Sequence, residues 1–410
     1  MHVLNVTESY VPFDEFGGPP VKVRALSEGL AVRGHEVTVL TADLGFEKRI
    51  RSFSDVAASA ERSPFGWRWK HGGVTAIYLP TWLRYRATTW NPAVSRFCRA
   101  RLQNFGVVHI FGLYDLLGPA VAGFCRKYGI PYVIEPIGMF VPIVRNLKLK
   151  RIYHALYGER LFESAAALVA TSEQECAAFL EGGIPREKIV MRRNGVMAPD
   201  RIPERGMFRA HRGIPAEARV ILFLGRLASK KSPDLLLEAF SDLPQKIEGR
   251  EVWLVFVGPD EAGMKERLAR TAGQLNLAGR VTFIGPVFGD EKWIAYRDAD
   301  VFVLPSQNEN FGNTAAEAAA IGTPVILTEQ CGIAPLLGDG AAVVVPHDRN
   351  ALRQAIERVL QDSALSQRLG RAGAAAASRL DWENPVSEME ALYVKLAGSA
   401  SRDGQSVGQG

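Results

Sequence analysis

Residues 301–329 read VFVLPSQNENFGNTAAEAAAIGTPVILTE. Two short apolar runs, VFVL and PVILT, flank a polar turn and an alanine-rich stretch. Neither run alternates with polar residues, so each reads as a strand buried on both faces, as in a parallel sheet. The stretch from Asn313 to Ile321, closed by Gly322, reads as a helix with a glycine stop. Strand, helix and strand in this order make a βαβ unit.

The pattern repeats in both directions. In the second half, strand-like runs lie at 220–225, 252–258, 281–285, 324–329 and 341–346. In the first half they lie at 2–7, 36–42, 74–80, 107–111, 132–136, 167–172 and 188–192. Helical segments lie between them, for example 91–105, 115–128, 233–242 and 350–361, the third with Ser232 as N-cap and Pro233 at its first position. The expectation is an α/β protein of two Rossmann-like, doubly wound domains facing across a cleft. Residues 1–200 form the first domain and 201–380 the second, joined by a connector near 194–215 that is rich in proline and glycine. A helix at 381–398 follows, then a Gly/Ser-rich tail, 399–410, read as disordered.

Composition narrows the class. The 410 residues are 47% hydrophobic and 23% charged, ordinary for a globular chain. No run is long and apolar enough for a membrane span, and the N-terminus has no secretory pattern. Cys98, Cys125, Cys176 and Cys331 are scattered, which fits a reduced cytoplasmic protein rather than a zinc site or disulfide framework. Residues 1–200 carry 25 Lys and Arg against 18 Asp and Glu, and the rest carry 24 against 26. A basic first half fits an anionic partner such as phosphate groups or a lipid surface. The cations are dispersed and form no nucleic-acid module, so no nucleic-acid partner is expected.

In an open α/β sheet, ligands sit beyond the C-terminal ends of the strands. After VFVL come Glu309 and, one turn into the helix, Glu317. Gly312 between them lets backbone amides approach a ligand, and a helix start is an anion site. Carboxylates flanking such a site suit a sugar on one side of a diphosphate and a ribose on the other. They also suit an ordinary helix start. After the strand VILFL come Arg226 and Lys231, two cations able to neutralise a leaving diphosphate or to lie on the surface.

Together these segments resemble the retaining family 4 (group 1) glycosyltransferases of GT-B fold. The resemblance rests on ENFGNTAAEAAAIGTPVI, GRLASKKSPDLLLEAF and the glycine loop at Gly17 and Gly18. It extends to YVIEPIGMFVP, KIVMRRNGV, VGPD and DWENPVSEMEALY, most of the chain. It implies that Glu309 contacts the donor sugar and Glu317 the ribose. Phe311, Gly312, Asn313 and Thr314 would present amides to sugar and diphosphate, and Arg226 and Lys231 would hold the diphosphate. Gly17 and Gly18 would close over the donor phosphates, although a turn preparing Pro19 and Pro20 explains them equally well. His109, Gly138 and Met139 fall on the acceptor or sugar side. Relatives carry a second histidine two residues after the first, where this chain has Phe111; His109 also fits a satisfied buried histidine. The last helix would cross back to the first domain.

The implied activity is transfer of a hexosyl unit from a UDP- or GDP-sugar to a glycan or lipid-linked acceptor, with retention, in cell-surface polysaccharide assembly. A nucleotide-sugar 2-epimerase or a non-catalytic sugar-nucleotide binder shares the architecture. No metal or other cofactor is expected: Asp298-Ala299-Asp300 has a metal-binding spacing but precedes its strand. Asp14 and Glu15 lie before the glycine loop and read as a solvated turn. Two basic-aromatic segments could rest on the cytoplasmic face of a membrane. One holds Trp82, Arg84, Tyr85, Arg86 and Trp90, the other Arg145, Lys148, Lys150 and Arg151. An ordinary amphipathic element explains them as well.

Overall fold

The computed structural model describes residues 1–13, 17–52, 54–85, 88–141, 147–277, 279–287, 289–338 and 340–406. Asp14, Glu15, Arg86 and Arg145 lie outside them. The chain divides into two compact units, 1–193 with 382–410, and 194–381.

The first unit is built on β1 (His2–Thr7), β2 (Glu36–Ala42), β3 (Glu61–Ser63), β4 (Gly66–His71) and β5 (Val74–Leu79). A hairpin follows, β6 (Leu83–Tyr85) and β7 (Thr88–Trp90), then β8 (Val107–Phe111), β9 (Tyr132–Glu135), β10 (Ala167–Ala170) and β11 (Ile189–Met191). Among the described residues the sheet order is β11-β10-β9-β8-β1-β2-β5-β4-β3. All neighbours are parallel except β5–β4 and β4–β3. Alternate side chains feed two cores. Leu4, Val6, Val108, Ile110 and Ile134 meet Leu117, Val121 and Cys125 of the helix Leu117–Tyr128. Val3, Val37, Val39, Val107 and Val133 meet Val23, Leu26 and Leu30 of the helix Gly18–Val32.

The same face receives the C-terminal helix Glu383–Ser406. Val386, Met389 and Tyr393 form its buried stripe, at the helical spacing expected of one face. Gly29 makes room for it, because a Cβ there would stand 2.5 Å from Val386 Cγ2. Glu390 adds an ion pair to Arg33 (2.9 Å) and a hydrogen-bond contact with His35 Nε2 (2.7 Å). The helix continues to Ser406, through the start of the tail that the composition marks as disordered. Once a helix is nucleated, each further residue adds a hydrogen bond at small cost, and alanine and serine do not stop it.

The second unit holds β12 (Arg219–Leu224), β13 (Lys246–Ile247), β14 (Arg250–Val257), β15 (Val281–Gly285), β16 (Val301–Leu304), β17 (Val325–Thr328) and β18 (Val343–Val345). The order is β13-β14-β12-β16-β17-β18, with β15 also on β14. β13 alone runs antiparallel among these described strands. The alanine-rich helix Asn313–Ala320 buries Ala315, Ala316, Ala318 and Ala319. Its small side chains let it sit close against Val325, Leu327 and Leu304. No helix among the described residues is long and apolar enough to cross a membrane.

Candidate functional site

In the second sheet the chain reverses its direction of growth between β12 and β16, neighbours in the sheet but distant in sequence. Such a switch point leaves a crevice at the strands' C-terminal ends. The loops leaving these two strands carry Arg226 to Lys231 and Gln307 to Gly312, and backbone bonds lock them together. The amides of Gln307 (3.0 Å) and Asn308 (3.4 Å) donate to the Lys230 carbonyl. A third loop, after β17, closes the other side: Glu309 N donates to Gln330 O (3.1 Å), and Gly332 N donates to Glu309 O (2.9 Å). Gly258 after β14 is squeezed against the first loop, since a Cβ there would stand 2.0 Å from Gly225 O.

This frame fixes an ion pair. Lys231 Nζ donates to Glu309 Oε2 at 2.6 Å, with the side chains 12% and 15% exposed. Burial pushes the Glu309 carboxyl up, but Lys231, then Lys230 and Arg226, outweigh it and hold it below its usual range. Burial pushes Lys230 down. Lys230 is a third cation on Glu309 that the sequence reading passed over, though it stands beside Lys231. Arg226 is more exposed and pairs with Glu261 at 3.3 Å.

Beyond Glu309, Phe311 is buried and Gly312 caps the helix Asn313–Ala320 with φ 106°. A Cβ at Gly312 would meet Ile333 Cγ2 at 2.9 Å, so only glycine fits this approach. The Asn313 side chain accepts from Asn194 Nδ2 (3.2 Å). Thr314 Oγ1 is buried and unpartnered. The first amides of this helix are of the kind a helix start leaves without intrahelical partners. Glu317 lies one turn in, and its oxygens are already engaged, by Lys292 Nζ (2.7 Å) and the Tyr296 hydroxyl (3.0 Å). Ser232 does not cap the helix Pro233–Ser241. Its own φ is 46°, and its hydroxyl meets His347 Nε2 (2.8 Å).

Asp298 and Asp300 are structural. Asp298 accepts from the amides of Gly206 (2.5 Å) and Arg209 (2.9 Å). Asp300 pairs with Arg205 (2.6 Å) and Arg209 (2.8 Å) and accepts from Val220 N (2.7 Å). They tie the helix Met207–Arg212 to the entry end of the sheet.

In the first unit, Gly17 has φ 82° and precedes the helix opened by Gly18, Pro19 and Pro20. His109 differs from expectation. It sits mid-strand, fully buried, its ring stacked on Phe111 (3.9 Å) and its Nδ1 bonded to the Tyr393 hydroxyl (2.6 Å). Burial pushes its pKa down to about 3, so it is neutral. It is a buried histidine with no surface to offer a sugar; its Nε2 has no hydrogen-bond partner and stands 3.7 Å from Glu135 Oε2. Beside it Glu135 receives Lys22 (2.6 Å) and Arg192 (2.7 Å), all three essentially without solvent. Gly138 and Met139 do lie at the C-terminal end of β9. Gly138 N donates to Glu175 Oε1 (2.6 Å), whose other oxygen takes Thr171 N (2.9 Å).

Comparison with known proteins agrees with this architecture. Residues 17–195 match the "Glycosyl transferase 4-like domain", and residues 205–376 match "Glycosyl transferases group 1". Between them they leave out little more than the connector and the chain ends, and the chain belongs to this group 1, family 4 glycosyltransferase family. It is similar to the D-inositol 3-phosphate glycosyltransferase of Streptomyces bingchenggensis, 33% identical over 247 residues, 58% of this chain and 54% of that one. The corresponding Mycolicibacterium smegmatis protein is 35% identical over 189 residues, 45% of this chain and 42% of that one. The chain thus aligns with about half the length of these curated relatives. Among solved structures, sucrose-phosphate synthase from Thermosynechococcus elongatus superposes with a TM-score of 0.75 at 22% identity, covering 97% of this chain and 99% of that one. Anabaena HepE in complex with UDP and glucose gives 0.71 at 18%, covering 99% and 100%. At these identities the likeness establishes the fold, which is GT-B.

Proposed function

We propose that the protein transfers a hexosyl unit from a UDP- or GDP-sugar to a glycan or lipid-linked acceptor, with retention of anomeric configuration and without a metal. The observation that carries this reading is the Lys231–Glu309 pair at the β12/β16 switch point, beside the amides that open the helix Asn313–Ala320. The diphosphate is held by Lys231, Arg226, Lys230 and those amides, and Glu309 faces the sugar hydroxyls. The bond between the anomeric carbon and the phosphate oxygen breaks while the acceptor oxygen bonds to that carbon from the same face. The acceptor proton passes to the departing phosphate oxygen. The three cations take up the charge that develops there, the task a divalent cation performs in metal-dependent transferases. Glu317 fits the ribose role only if the ribose hydroxyls join Lys292 and Tyr296 around it.

A role in cell-surface polysaccharide assembly at the cytoplasmic face of a membrane draws support from the first unit. Trp82 (69% exposed), Leu83 (66%) and Tyr85 (61%) project from the β6–β7 hairpin. Ile152 (54%) and Leu156 (63%) are exposed near Lys148 and Arg151. Exposed aromatic and aliphatic side chains among cations suit a lipid surface. The test is proton NMR of the product formed in excess EDTA. The account expects full activity and a product with the donor's anomeric configuration. Loss of activity in EDTA, or inverted product, overturns it.

A further inference from the structure

The first sheet has a switch point of its own. β1 pairs with β2 on one side and with β8 on the other, with Thr7 abreast of Phe111. Ligands of open parallel sheets sit where the chains leave two such strands. Glu8 is the first residue beyond β1, and Tyr114 and Asp115 follow β8.

These residues are held in an unusual setting. Glu8 Oε1 is buried with no partner. Burial, then the neighbouring Asp115, push the Glu8 carboxyl up to about 8, against the pull of Arg84. At neutral pH it keeps its proton and can donate a hydrogen bond. Asp115 is 3% exposed, accepts from Gly118 N (2.7 Å) and is itself pushed up by burial. Tyr114 is held at φ 67°, a conformation that costs a tyrosine free energy and therefore needs support. Its hydroxyl donates to Met139 O (3.0 Å) and meets His154 Nε2 (3.0 Å), and its carbonyl accepts from Thr88 Oγ1 (2.7 Å). Its ring packs edge-on against Tyr153 (5.3 Å) and His154 (5.6 Å). The Tyr153 hydroxyl is buried beside the backbone of Tyr114 and makes no well-formed hydrogen bond.

We propose that Glu8, Tyr114, Asp115 and Tyr153 form the acceptor site, and that it takes the hydroxyls of an uncharged sugar. This rests on the glycosyltransferase reading above and names the acceptor class for it. Two carboxyls, that of Glu8 protonated, and a phenol supply both donors and acceptors to neighbouring hydroxyls, and aromatic rings cover the sugar's C–H surface. A phosphorylated sugar would bring negative charge into a setting whose burial already disfavours charge on Glu8 and Asp115, with Arg84 the facing cation. Glu8 and Tyr153 bind and orient the acceptor here; the proton of the attacking hydroxyl leaves with the phosphate as described.

The experiment measures nucleoside diphosphate release from UDP-glucose, UDP-galactose and GDP-mannose. Each is assayed alone, with p-nitrophenyl glucoside, galactoside and mannoside, and with glucose 6-phosphate and mannose 6-phosphate. At least one neutral glycoside accelerates release and the phosphates do not. In Glu8→Ala the ratio of stimulated to unstimulated release falls about tenfold, the worth of one or two hydrogen bonds. Glu8→Gln, which keeps a donor, retains most of the stimulation. Tyr153→Phe raises the acceptor KM with little change in kcat. Melting temperatures within about 3 °C of wild type certify the fold, at roughly 1 kcal/mol. Stimulation by the phosphates, full stimulation in Glu8→Ala, or no response to any neutral glycoside overturns the assignment. No release from any donor sinks the transferase reading instead.

Discussion

Replacing Lys231 by alanine is expected to slow nucleoside diphosphate release from the donor at least about a hundredfold, the scale seen when one preorganised donor to a developing oxyanion is removed. Lys231 and Glu309 are mostly shielded and 2.6 Å apart, so neither charge is paid off by water. On the proposed reading, removing Lys231 takes away one of the three cations on the departing diphosphate. Glu309 is left with Lys230 and Arg226. Glu309→Ala is expected to cause a loss of similar size, because it frees Lys231 from its fixed geometry and removes the proposed sugar contact. The double variant is expected to fall little below either single one, since the two groups act as a unit. Lys231→Arg is not a conservative rescue: a planar fork cannot occupy the place of a point charge in this narrow turn. Steady-state release assays on the four proteins check this, and single variants within about threefold of wild type would remove Lys231 and Glu309 from the site.

The second large effect is on stability. Glu135→Ala is expected to destabilise the first unit by about 3–5 kcal/mol, the usual outcome when a buried ion pair loses one partner. Lys22 and Arg192 would remain buried without the carboxylate they share, Lys22 keeping only the weaker pull of Glu175, and His109, neutral, offers no charge. For a unit of this size the melting temperature should fall on the order of 10 °C. The cluster also sets an acid limit. Burial pushes Glu135 up, but Arg192, Lys22 and His109 together hold it down at about 2, against about 4.5 for an unconstrained glutamate. A depressed carboxyl contributes stability that is complete above about pH 4.5 and lost as pH falls toward 2. Thermal melts of wild type and Glu135→Gln between pH 7 and pH 3 should converge on acidification. A Glu135→Ala protein melting within about 3 °C of wild type at pH 7 would show the cluster to be energetically silent.

The strands that build both sheets were legible because each is a short run dominated by Val, Ile, Leu and Phe: HVLNVT, VVHIF, VILFL and VFVL fall in β1, β8, β12 and β16. The antiparallel pair β3–β4 and the hairpin β6–β7 were not. GWRWKH is half-buried and mixes tryptophans with charged residues, and LRY is exposed, so the rule for doubly buried strands does not reach them. Spacing placed Lys231 and Glu309 at strand ends, but the bond between them joins residues far apart in sequence. The partners of Glu317 on the helix Glu291–Asp298 were invisible for the same reason. His109 stayed open between a sugar-side residue and a buried one because a pattern of apolar residues locates a strand and says nothing of what covers its middle; Tyr393 does so, from the far end of the chain. Glu8 could have been found, being the first residue past β1, had the strand-end rule been applied to every strand.

Isothermal titration of nucleoside mono- and diphosphates reads the grip of Lys231 on a diphosphate. UDP or GDP is expected to bind wild type at least about tenfold more tightly than its monophosphate, and Lys231→Ala to erase the margin, since one charge-assisted contact is worth that much. Equal affinities in wild type, or a margin that survives in Lys231→Ala, would contradict that role.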